Sequence, residues 1–145
     1  MSEKSAISVH WSFWIIGAVG LIFNFFGCMN YISQMNAEMV ASMPDEYRAI
    51  VESRPAWGTA AFAIAVFGGA LGCLLLLLRK SVAVYVFIAA LVGAVMAQIP
   101  FLGMADLPVA AWIGWLSQLG VGAFLIWYSN WSKGKGWISQ DQLVN

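Results

Sequence analysis

The sequence predicts an all-α membrane protein: a four-transmembrane-helix bundle with a short amphipathic outer helix between helices one and two. Three observations lead there. The 145 residues are 61% hydrophobic and 10% charged, against about 25% charged in soluble proteins. A soluble domain this small cannot bury that much apolar surface, whereas a bilayer is itself an apolar solvent. Four uncharged stretches reach the ~20 residues that cross a hydrocarbon core. The basic residues outside them fall mainly on one side.

The first stretch covers about 13–32, and no small-residue cleavage site precedes Phe25 and Phe26, so an uncleaved helix is expected. The second, 57–78, ends in five leucines and is stopped by Arg79 and Lys80. The third covers 82–102 and the fourth, opening after Pro108, covers 109–128. Backbone groups in hydrocarbon must bond within their own segment, which makes these runs helices. A polar tail, 129–145, follows, with Trp131 and Trp137 expected among lipid headgroups. The whole chain, 1–145, reads as a single transmembrane domain.

Between helices one and two, Met39, Met43, Tyr47, Ile50 and Val51 recur at helical spacing among charged residues. Ser42 with Asp45 resembles a capping box, and Pro44 suits a first turn. An amphipathic helix over about 44–53 is therefore expected on the outer face. Lys4, Arg79, Lys80, Lys133 and Lys135 share one side, whereas Arg48 and Arg54 stand on the other with Glu38, Asp45, Glu46, Glu52 and Asp106. The positive-inside rule then places both termini in the cytoplasm.

Membrane helices associate through small residues and polar contacts. Gly17, Gly20 and Gly27 line one face of helix one, Gly68 and Gly72 one of helix two, Gly93 one of helix three, and Gly114 and Gly122 one of helix four. These glycines are expected to pack the helices. Asn24 and Gln118 fall near mid-membrane, where an unpaired amide is costly, so both should face inward, within reach of each other. Toward the outside, Asn30, Tyr31, Gln34, Thr59 and Gln98, with Trp112 nearby, suggest a polar pocket with aromatic walls. Neutral amides and rings suit an uncharged solute or a lipid headgroup.

Catalysis finds less support. His10 is the only histidine and lacks metal-ligand partners, so neither a metal site nor a cofactor is expected. The spans hold no carboxylate for a proton relay. Cys28 and Cys73 fall at opposite ends of their helices, too far apart in depth for a disulfide within one subunit. Zero formal net charge gives no electrostatic case for nucleic acid.

The run Arg54-Pro55-Ala56-Trp57-Gly58-Thr59 through Gly68-Gly69, closing on Leu74 to Lys80, resembles a family of small bacterial four-helix inner-membrane proteins. Pro44 to Ala49 and Trp14 to Gly17 resemble it as well. Its members often carry the loose label "sugar transporter", and the outline is also similar to DoxX-like proteins. The resemblance implies a multi-pass protein of the bacterial inner membrane that handles a small neutral, sugar-like solute as a transporter or pore subunit. The alternative is a non-enzymatic accessory or scaffold subunit of a membrane complex. The expected partners are the lipid bilayer and either further copies of the chain or another membrane protein.

Overall fold

A computed structural model describes residues 8–138; Lys4 and the end of the tail, 139–145, lie outside the described residues. Every regular element among them is helical: α1 (Trp11–Met35), α2 (Ala37–Ala41), α3 (Asp45–Ser53), α4 (Ala56–Leu77), α5 (Ala83–Gln98) and α6 (Val109–Gly134). A 3-10 turn, Ile99–Phe101, continues α5. Among the described residues, four helical stretches are long and apolar enough to cross a membrane: Trp11–Met35, Ala56–Leu77, Ala83–Phe101 and Val109–Gly134.

Local chemistry explains the boundaries. His10 caps α1, its Nδ1 accepting from the Ser12 amide at 3.3 Å. Asn36 ends α1 and also caps α2, accepting from the amides of Glu38 at 3.0 Å and Met39 at 3.2 Å. The expected capping box at Ser42 does not form, because the Ser42 hydroxyl turns back to Met39 O at 2.7 Å. Pro44 itself takes the cap position of α3. Arg48 fixes the elbow instead: its Nη2 donates to Ala41 O at 2.9 Å and Met43 O at 3.0 Å, while Nη1 lies 3.3 Å from Asp45.

The fourth long helix runs further than its hydropathy suggests, six residues into the stretch read as tail. Ser129 and Ser132 are buried there; the Ser129 hydroxyl bonds Ile126 O at 3.0 Å, whereas the Ser132 hydroxyl has no hydrogen-bond partner among the described residues. The helix stops at a left-handed Gly136 (φ 74°), with Trp137 N bonding Ser132 O at 2.9 Å. The same closure ends α4, but there the left-handed residue is Arg79 (φ 62°), with Lys80 N bonding Leu75 O at 2.8 Å.

Packing centres on α4, which lies between α1 and α5; α6 lies against α5. Missing side chains set these approaches. A Cβ at Gly93 would stand 2.8 Å from Ala61 O, backbone against helix. Gly68 meets Ala90, and Gly72 lies under the Phe87 ring. On the other flank Gly17 meets Leu77, Gly20 meets Cys73 and Leu125, and Gly27 meets Val66. Gly122 meets Leu91 on the α5–α6 seam. Gly114 is a correction: it is exposed and a Cβ there meets nothing within 4 Å. It packs no helix.

Two apolar cores result. At the Arg79 end, Phe13, Cys73, Leu76, Val84, Phe87, Leu125 and Tyr128 draw all four long helices together. At the α3 end a smaller core joins Ile50, Phe101 and Ala111, with Tyr47, Leu107 and Trp115 against it. Bulky apolar side chains such as Ile22, Phe26, Leu71, Val92 and Leu116 stay exposed on the outer faces, as suits a lipid-facing surface.

Candidate functional site

Between the two cores lies a cavity of about 390 Å³, within the ~300–1,000 Å³ range of small-molecule sites. All four long helices line it, and α3 roofs it with Tyr47, Ile50 and Val51. The amphipathic pattern read from the sequence places those residues there: Ile50 is buried while Asp45, Glu46 and Glu52 face outward. Asn30 on α1 and Ala110 and Gly114 on α6 line the cavity yet are exposed, which puts its mouth between α1 and α6.

Four of the eight residues expected to bind ligand line this space: Asn30, Gln34, Gln98 and Gln118. Asn30 and Gln34 are bonded, Gln34 Nε2 donating to Asn30 Oδ1 at 3.2 Å. The Gln98 and Gln118 side chains make no hydrogen bond to any described residue, so their amides remain open to a guest or to water. Asn24 lies deeper and is 3% exposed, its Nδ2 donating to Gly20 O at 2.8 Å with Cys73 Sγ at 3.8 Å. No hydrogen bond joins Asn24 to Gln118; the two amides line opposite walls of a separate void of about 10 Å³. That space is close to the volume one water requires.

The other three stand elsewhere. Tyr31 packs between Phe62 and Phe67, with ring centroids 5.7 Å and 5.5 Å away. The Thr59 hydroxyl reaches its own helix's Pro55 O at 3.5 Å. Trp112 points outward; Trp115, its edge-to-face neighbour at 5.6 Å, is the ring that lines the cavity. Three residues along α6, about 60° short of a full turn, separate the lining ring from the exposed one.

The residue that sequence reasoning missed is Arg54. In the sequence it stands as a loop charge that bears on sidedness. The structure turns it inward, its guanidinium 4.9 Å from the Phe62 ring centre and 5.6 Å from that of Phe101, which itself stacks on Trp115 at 5.3 Å. Nη1 donates to Gln34 Oε1 at 2.6 Å. Nε is buried with no acceptor, and among the described residues no carboxylate reaches ion-pair distance. Burial lowers the Arg54 pKa below the ordinary guanidinium value, opposed in part by Tyr31; an arginine so shifted still stays charged at neutral pH. Gly58 makes the inward path available, since a Cβ there would stand 3.1 Å from the Arg54 Cγ. The sequence signal was the cation set directly before Pro55, at an end otherwise dominated by acids.

His10 and the two cysteines take structural places. His10 Nδ1 lies 2.7 Å from the Ser12 hydroxyl. Cys28 and Cys73 are free and buried, and the Cys28 thiol donates to Val66 O at 3.4 Å. Among the described residues no group of three or more His, Cys, Asp or Glu could hold a metal. Compared with protein-family models, with curated proteins and with solved structures, the chain matches none.

Proposed function

We propose that the chain is a multi-pass protein of the bacterial inner membrane, a four-helix bundle with both termini cytoplasmic, that binds a small solute in its α3-roofed cavity. Its role on this reading is that of a carrier or pore subunit. The observation that carries it is the pair of unbonded amides, Gln98 and Gln118, on the wall of a cavity of about 390 Å³. An unsatisfied amide in a membrane interior costs roughly 1–3 kcal/mol unless water or a ligand answers it. No enzymatic step is assigned.

A second reading, an accessory subunit, draws on α6. Gly120 on that helix is exposed and open, like Gly114, and Ile113, Leu116 and Phe124 are bare. Such a face suits a second copy of the chain or another membrane protein.

Native mass spectrometry of the protein extracted gently from its own membranes tests both. A homo-oligomer or monomer holding a small molecule, lost in Gln98→Leu and Gln118→Leu variants that still fold, supports the carrier. A mixed complex with an empty cavity supports the accessory role and ends the first reading.

A further inference from the structure

The cavity's wall is chemically divided. Ala65, Val66, Ala94, Ala97, Ala111 and Trp115 offer a guest only apolar surface. At the α3 end stands one cation, Arg54, whose five N–H donors are met by a single neutral acceptor, Gln34. A neutral sugar-like guest would answer the amides and leave that charge unmatched. Arg54 is part-buried, so an unpaired charge there carries some desolvation cost, of which cation–π contact returns about 0.5–2 kcal/mol. The guanidinium carbon lies over the rings of Phe62 and Phe101, with Nη1 on Gln34 and Nε lacking an acceptor among the described residues, and a planar guanidinium is suited to carboxylate and phosphate oxygens.

We infer that the cavity takes the anionic head of an amphiphilic molecule, a carboxylate or phosphate seated on Arg54, with its apolar part lying against Ala94 and Ala97 of α5 and Ala111 of α6. The inference rests on the reading of the cavity as a ligand site, and it replaces the neutral solute with a charged one. Two sources share this chemistry: an anionic membrane lipid and a soluble organic acid. Glu38, Asp45, Glu46, Glu52 and Asp106 are all exposed at the same end. They leave Arg54 unneutralised and repel a free anion arriving from water. The mouth between α1 and α6, by contrast, opens sideways, where lipid stands.

The test compares hexanoate with hexanol, equal in chain length but not in charge, on the purified full chain in neutral detergent by isothermal calorimetry. Hexanoate is expected to bind about tenfold or more tightly than hexanol, and Arg54→Gln to abolish that preference. The wild-type comparison decides the matter even if Arg54→Gln does not fold. Equal binding of the two probes, both lost in Gln118→Leu, overturns the anion and leaves the cavity as a site. Absence of binding by either probe overturns both readings, provided that the next arm is also negative. In that arm, protein from nanodiscs of equal phosphatidylglycerol and phosphatidylcholine is examined by native mass spectrometry. Selective retention of phosphatidylglycerol, dependent on Arg54, supports the inference with lipid as the source, whereas hexanoate binding alone supports it with a soluble acid.

Discussion

Arg54 Nη1 and Gln34 Oε1 are 2.6 Å apart, and this one bond joins the α3–α4 elbow to the last turns of α1. The roof of the cavity is otherwise held by the small core around Ile50. A hydrogen bond to a charged group is worth about 1.5–3 kcal/mol. Gln34→Leu is therefore expected to loosen the roof before it unfolds the protein. Hydrogen exchange should rise over 45–53 and stay level through α4 and α5; a uniform rise would refute a local tie.

Glycine substitutions should separate packed from open positions. Gly93→Ala pushes a methyl against the Ala61 carbonyl, and Gly69→Ala pushes one into the Asn24 amide. Each is expected to lower stability by about 1–3 kcal/mol. Gly114→Ala and Gly120→Ala meet nothing within 4 Å and should be neutral or slightly stabilising, because alanine is the better helix former. Denaturant titration in detergent micelles ranks the four variants.

Asn24 donates to Gly20 O, and its other contact is the Cys73 sulfur. Since the main bond is within its own helix, Asn24→Ala should cost only about 1 kcal/mol in unfolding experiments. Loss of several kcal/mol would instead mean that this amide clamps α1 to α4.

Arg79 holds a left-handed backbone that glycine adopts freely, a strain of about 1–2 kcal/mol. Its side chain offsets this by donating Nε to Trp137 O at 2.7 Å. Arg79→Gly loses the bond but relieves the strain, whereas Arg79→Ala loses the bond and keeps the strain. The glycine variant is thus expected to be the more stable of the two by about 1 kcal/mol, read from paired unfolding curves.

Sidedness is testable by labelling. A single cysteine at Glu52 should react with an impermeant maleimide on intact inner-membrane vesicles of right-side-out orientation, and one at Lys135 only after permeabilisation. Cys28 and Cys73 are buried and should not react in either case. The reverse pattern would invert the orientation drawn from the basic residues.

The four long helices were legible because hydrocarbon permits few alternatives: an uncharged run of that length has one way to satisfy its backbone. The roof helix was legible because Ile50 and Val51 recur against charged neighbours. What sequence could not supply was rotation. Tyr31 and Gln34 stand one turn apart on α1, yet only Gln34 reaches the cavity; Trp112 and Trp115 divide in the same way on α6. Helical spacing fixes which residues share a face but not which neighbour that face meets. Arg54 escaped for a related reason, since a charge beside a span counts toward topology from sequence and reveals its direction only once Phe62 and Phe101 close around it. The length of α6 was underestimated because hydropathy penalises Ser129 and Ser132, which bury their hydroxyls within the fold.

The two cores differ in a way that bears on traffic. At the Arg79 end, Phe13, Leu76, Phe87 and Leu125 are each 2% exposed or less, and all four long helices meet there. The cavity above stops short of this layer, and between them lies the void of about 10 Å³ that Phe87 and Leu125 also line. Opening that layer would mean parting close-packed side chains, whereas a guest enters and leaves by the α1–α6 mouth without disturbing it. Any passage across the membrane would therefore be slow and steeply temperature-dependent beside exchange at the mouth. For a carrier, parting this layer is then the step that limits transport.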